Sequence, residues 1–164
     1  MTMKLHIITT GGTIDKIYFD ALSEFQIGEP VVGDLLERMG VGFDYSVQPL
    51  LKLDSLDMTD DHRRQIQQAV KASKADKILI THGTDGMVET SKWLADIDDK
   101  CIFLTGALQP AAFSCTDAVF NLGCAVGGLQ SKPAGVYIAM SGQVFAADQV
   151  VKNHAESRFE ALLN

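Results

Sequence analysis

Lys77-Ile78-Leu79-Ile80-Thr81-His82-Gly83-Thr84-Asp85-Gly86 sets an apolar, β-forming run directly against a polar loop punctuated by glycine. Residues 78–80 are apolar on both faces, and so are residues 102–104. Strands buried on both sides belong in the middle of a parallel sheet covered by helices. Working outward, similar short runs occur at residues 4–9, 45–51, 101–105 and 135–140, separated by stretches of helical period. Pro49 lacks the N–H that a central ladder needs, which pushes the second run to an edge. Between the runs, Pro30 suits the first turn of a helix ending near Gly40, and Thr59 can cap a helix that turns Ile66, Ala69 and Val70 inward. A third helix is expected from about Asp85 with Trp93, Leu94 and Ile97, and a fourth over residues 114–129, apolar nearly all round. The rhythm is βαβ. It predicts one α/β domain over residues 1–164: a three-layer, mostly parallel, doubly wound sheet of the Rossmann or flavodoxin-like kind.

Composition agrees with a packed core. The chain has 164 residues, 46% apolar and 21% charged, enough to bury roughly two thirds of the unfolded surface. Its net charge of −7 disfavours phosphate neutralisation, so nucleic acid is not an expected partner. No apolar run approaches the 18 or so residues that a membrane helix needs, and the first residues lack the pattern of a secretory signal. A cytoplasmic protein is therefore expected, without a membrane partner. Cys101, Cys115 and Cys124 are odd in number and form no C-x-x-C pair, which argues for core filling and against a disulfide framework or a metal site.

Ligands of doubly wound sheets bind beyond the carboxyl ends of the strands, so the loop after each strand matters most. These loops read Thr9-Thr10-Gly11-Gly12-Thr13, Thr81-His82-Gly83-Thr84-Asp85-Gly86, Thr105-Gly106-Ala107 and Ser141-Gly142. Glycine lets backbone approach a ligand closely, exposed amides stabilise negative charge, and a hydroxyl can attack a carbonyl. The same residues also make ordinary turns and caps: Thr84 can cap a helix, and Asp85 suits its first turn. There is no G-x-G-x-x-G, phosphate-binding P-loop, G-x-S-x-G or H-E-x-x-H, so nucleotide, serine-hydrolase and zinc-protease chemistry find no support. Residues 15–29 show neither helical nor strand period while mixing Tyr18, Phe19 and Phe25 with acids; an irregular lid is expected there.

Thr10-Gly11-Gly12-Thr13-Ile14 and Thr81-His82-Gly83-Thr84-Asp85-Gly86-Met87 resemble the two signature motifs of the bacterial-type L-asparaginases. The likeness continues through Asp54-Ser55-Leu56-Asp57-Met58, Thr105-Gly106-Ala107-Leu108-Gln109-Pro110, Asp117 and Asn121-Leu122. It implies Thr13 as nucleophile, with Thr84, Asp85 and Lys152 as a second catalytic group. It also implies substrate contacts from Gly12, Asp54, Ser55 and Asp85, and no cofactor. Two departures stand out: Phe25 occupies the position of the family's loop tyrosine, leaving Tyr18 as the other lid residue, and Leu56 replaces a frequent glutamine. Family members usually continue into a smaller second domain, and the expectation here is a chain with the first domain alone. A homo-oligomer, dimeric or tetrameric, is expected to cover the exposed site, and residues 155–163 are expected to form a short helix.

The chemistry asks for such a set on its own terms. A threonine hydroxyl is a weak nucleophile and needs a proton acceptor, a part a buried lysine among hydroxyls can play while an aspartate orients it. Backbone amides near Gly12 and Thr84 would face the oxyanion, each contributing about 3 kcal/mol. The leading expectation is hydrolysis of L-asparagine, with L-glutamine as a second substrate. The alternatives are an amino-acid-binding module without turnover and an amidase component related to tRNA-dependent amidotransferases. His82 is expected to be structural, and Asp117 with Asn121 to share one helix face.

Overall fold

The computed structural model describes residues 2–163. Five parallel strands, β1 (Lys4–Gly11), β4 (Asp44–Leu53), β5 (Lys77–Thr81), β6 (Cys101–Thr105) and β7 (Gly135–Met140), and one antiparallel strand, β8 (Gln143–Ala146), form a single sheet. Their spatial order is β4-β1-β5-β6-β7-β8. β4 is the edge beside β1, and Pro49 stands opposite Thr9 there, as its missing N–H requires. Both faces are covered. Ile7, Leu79 and Phe103 pack with Leu35 and Leu36 of α1 (Val32–Arg38) and with Leu122 and Leu129 of α4 (Ala118–Ser131). Ile8, Ile80 and Leu104 pack with Ile66 and Val70 of α2 (Asp60–Ala72) and with Met87 of α3 (Met87–Lys92). Alternate residues of each strand thus feed two cores, which is the three-layer arrangement expected.

Thr59 caps α2 as expected, with its hydroxyl accepting from the His62 N–H and the His62 ring accepting from the Thr59 N–H. Other expectations fail locally. α1 begins at Val32 and not Pro30, and α4 at Ala118 and not residue 114. Residues before Ala118 are held by Asp117, whose carboxylate accepts the Leu108 and Gln109 N–H groups and so organises a loop. α3 starts at Met87 and ends at Lys92; Trp93 and Leu94 lie in the turn beyond it and Ile97 in the loop that follows, although Leu94 and Ile97 are buried all the same. Burial does not require helix.

Residues 15–29 are not irregular. They form a short 3-10 turn (Thr13–Asp15) and a β-hairpin, β2 (Lys16–Phe19) with β3 (Glu24–Ile27). Its outward side chains are exposed on both faces, so no core imposes an alternating pattern. Residues 155–163 are not a helix: β9 (Val150–Asn153) and β10 (Arg158–Ala161) pair antiparallel. Phe159 anchors that ribbon in the core, fully buried, while its N–H donates to Ser141 Oγ at 2.9 Å. Of the cysteines only Cys101 is fully buried; Cys115 is exposed on the loop before α4, which corrects the core-filling expectation for it.

Candidate active site

Strand order fixes where a site can form. The chain leaves β1 toward β4 on one side and returns to β5 on the other, so connections diverge between β1 and β5 and a crevice opens at their carboxyl ends. The loops after β1 and β5 border that crevice, and they carry Thr13 and Thr84.

Gly12 brings the two loops together. Its φ of +85° is left-handed, and a Cβ there would lie 2.6 Å from Gly83 Cα. Backbone therefore abuts backbone, and the next residues, Thr13 and Thr84, extend from adjoining positions. Gly83 in turn has no room for a side chain because Ser55 fills that space. Ser55, 4% exposed, begins a 3-10 turn after β4, and its Oγ accepts the Gly86 N–H at 3.0 Å. Three loops from β1, β4 and β5 thus interlock through small residues.

Lys152 arrives from the far end of the chain. Lys152 and Phe159 pair across the β9–β10 ribbon, so the anchored phenylalanine sets the height of the lysine. Lys152 Nζ donates to Thr84 Oγ1 at 2.8 Å and to Asp85 Oδ1 at 2.7 Å, with the lysine side chain only 14% exposed. In this half-dry setting the charge-assisted bonds are short and orient the ammonium. Thr13 is half-buried at the lip, on the 3-10 turn that also buries Ile14 and Asp15.

Some expected roles change. Asp54 has both carboxylate oxygens occupied: Oδ1 accepts the Leu56 N–H at 3.0 Å, and Oδ2 lies 3.3 Å from Lys16 Nζ. The backbone bond first, and the Lys16 ammonium with it, holds the Asp54 carboxyl below the usual carboxylate range. It caps the Ser55 turn and pairs with Lys16. The Gly12 N–H donates to Leu53 O at 3.1 Å, so that amide is not available to an oxyanion. His82 is structural, as expected: its ring is fully buried, with Nδ1 2.8 Å from Gly83 O and Nε2 2.7 Å from Thr90 Oγ1. Burial pushes its pKa down to about 4, so the ring is neutral, donating from Nδ1 and accepting at Nε2. Asn121 donates from Nδ2 to Gly106 O at 2.9 Å and to Asp117 at 2.8 Å, supporting the loop after β6.

Tyr18 and Phe25 lie directly opposite each other on the hairpin, ring centroids 5.4 Å apart, and Phe25 meets Phe113 of the loop before α4 at 5.6 Å. Three residues escaped the sequence reading. His154 Nδ1 lies 3.7 Å from Asp85 Oδ1, in the turn just after β9 and two residues beyond Lys152. Asp15 is buried, with Oδ1 accepting the Val31 N–H at 3.1 Å, and burial pushes its carboxyl up to about 6. Lys16 bridges to Asp54. Among the described residues, no group of three or more His, Cys, Asp and Glu is arranged to hold a metal ion.

The chain is thus a doubly wound α/β domain that gathers two threonine loops and a lysine–aspartate pair beside the crevice between β1 and β5. The chain belongs to the asparaginase family: the family model for the N-terminal domain, "Asparaginase, N-terminal", matches residues 4–162. The probable periplasmic L-asparaginase of Haemophilus influenzae is 32% identical over 158 residues, covering 89% of this chain and 45% of that protein. The glutaminase-asparaginase of Acinetobacter glutaminasificans is 32% identical over 170 residues, covering 89% and 48%. The solved structure of the thermostable L-asparaginase from Thermococcus kodakarensis superimposes with a TM-score of 0.85 at 27% identity, covering 98% of this chain and 51% of that one. The chain thus spans about half the length of the relatives it matches.

Proposed function

We propose that this domain hydrolyses L-asparagine to L-aspartate and ammonia. The observation that carries the reading is Lys152 Nζ held at once by Thr84 Oγ1 and Asp85 Oδ1 beside the crevice. In the proposed reaction Lys152 acts as the free amine: Thr13 Oγ1 attacks the side-chain amide carbon while its proton passes through Thr84 Oγ1 to Lys152 Nζ, which then gives it to the leaving nitrogen. The tetrahedral intermediate collapses by breaking the C–N bond, and the leaving nitrogen takes a proton to depart as ammonia. Water then adds to the Thr13 ester, restoring the hydroxyl and freeing aspartate. Asp85 holds the lysine and offers its second oxygen to the substrate ammonium; Ser55 meets the α-carboxylate. Tyr18, beside Phe25, supplies the phenol that Phe25 lacks.

The relative from Acinetobacter is named for both glutamine and asparagine, which supports L-glutamine as the second substrate. We place the protein in the cytoplasm on chemical grounds: three free cysteines, one of them exposed, suit a reducing compartment. No helix among the described residues is long and apolar enough to cross a membrane. We also propose a homodimer, on the ground that the hairpin exposes Ile17, Tyr18, Phe19, Leu22 and Phe25 together.

The test is ammonia release from asparagine by the wild type and by Thr13→Ala, Thr84→Ala and Lys152→Met. Each variant is expected to fall by about a hundredfold or more in kcat. A wild type inert on asparagine and glutamine overturns the enzyme reading. The exposed Leu56 and the phenylalanine at position 25 favour one competitor, a binding module, which calorimetry would reveal as aspartate binding without turnover.

A further inference from the structure

Four contacts of the β2–β3 hairpin with the rest of the molecule bear on its placement. At its base Gly28 N–H donates to Asp15 O at 2.7 Å, and Val31 N–H donates to the buried Asp15 carboxylate. Its outer leg ends at Glu29, which pairs with Lys52 at 2.8 Å; both groups are well exposed, and such a pair contributes little. Its face rests Phe25 on Phe113. The fourth point is different in kind. Lys16, the first residue of β2, reaches Asp54 Oδ2 at 3.3 Å with both side chains about 30% exposed. Asp54 is no ordinary surface acid, because its other oxygen holds the Leu56 N–H and so closes the 3-10 turn that presents Ser55. Ser55 Oγ then accepts from Gly86 N–H, in the loop that holds Thr84 and Asp85.

We propose that Lys16 is a positioning residue for substrate binding: its ion pair with Asp54 ties the hairpin to the Ser55 turn, so that the placement of the hairpin sets the placement of the α-carboxylate contact. This deepens the asparaginase reading above and rests on it. Lys16 touches no substrate. It acts through Asp54 by neutralising that carboxylate and fixing its torsion, which leaves Asp85 as the site's available anionic partner for an ammonium group. Losing the Lys16 charge frees Asp54 to rotate, loosens the cap on Leu56 and lets Ser55 drift from Gly86. Binding weakens while the Lys152–Thr84 geometry stays intact.

The experiment compares wild type, Lys16→Met, Lys16→Arg, Asp54→Asn and the Lys16→Met/Asp54→Asn double variant. Three readouts are taken: asparagine kinetics, aspartate affinity by calorimetry, and hydrogen exchange of the Leu56 and Gly86 amides. Lys16→Met is expected to raise KM and the aspartate Kd about three- to tenfold with kcat within about twofold, and to speed exchange at both amides. Lys16→Arg is expected to restore all three, and Lys16→Met to add nothing in the Asp54→Asn background. Unchanged KM and unchanged Gly86 protection in Lys16→Met overturn the proposal, as does a loss that arginine fails to rescue. Should the wild type neither turn over nor bind, the asparaginase reading fails; faster Gly86 exchange in Lys16→Met would then still establish the tie between hairpin and turn, and its absence would remove that too.

Discussion

At the scale of single residues, two buried titratable groups pull stability in opposite directions. The folded-state pKa of Asp15 is raised from 3.8 to about 6, so its contribution is present below about 4 and lost as pH rises through about 6. That displacement corresponds to about 3 kcal/mol at full titration. The pKa of His82 is lowered from 6.5 to about 4, so its contribution is present above about 6.5 and lost as pH falls through about 4. Between about 4 and 6 the two slopes offset each other. Asp15→Asn keeps an oxygen for the Val31 N–H and removes the titration. Relative to wild type, it is expected to be more stable at pH 8 than at pH 4 by up to about 3 kcal/mol, read by urea unfolding at both values. A difference independent of pH would show that Asp15 is not desolvated in the folded state. Neither effect was legible beforehand: Asp15 looks like any acid at a loop start, and its burial comes from Val31 and the hairpin closing over it.

At the scale of elements, the β9–β10 ribbon does the positioning. Phe159 is fully buried and stands opposite Lys152, so truncating it is expected to act at a distance. Phe159→Ala should lower stability by about 3–5 kcal/mol and lower turnover further than the folded fraction explains, because Lys152 loses its register. Activity scaled to folded protein by circular dichroism checks this; a wild-type specific rate would detach the ribbon from the site. The five parallel strands were readable because double-sided burial leaves unbroken apolar runs such as residues 78–80. The hairpin and ribbon were not, since each is short, mostly exposed and held by single anchors such as Phe159 or by ion pairs such as Lys16–Asp54. The motif loops were legible in content, but their interlocking was not. That Gly12 lies on Gly83 and Ser55 fills the space beside Gly83 depends on strand order, which periodicity alone does not set.

At the scale of the whole molecule, two uncovered apolar areas stand out. One is the hairpin face. The other is a cavity of about 670 Å³ between α3, the start of β7 and the ribbon, lined by Val88, Tyr137, Ala147, Val150 and Leu162. None of Thr13, Thr84, Asp85 and Lys152 lines it. The proposed homodimer predicts a mass near twice the 17.8 kDa of one chain by light scattering, and activity that falls on dilution. Replacing Phe19 and Leu22 with serine is expected to give monomers with a raised KM. A monomeric wild type with a concentration-independent rate would end the dimer proposal.

The contact between Thr84 and Lys152 joins residues 68 positions apart, with α3, β6, α4, β7 and β8 threaded between them. During synthesis both threonine loops leave the ribosome well ahead of the strand that completes their partner set. A nascent chain that stops short of Lys152 therefore lacks the partner of Thr84, and that contact forms only once β9 has been made and packed.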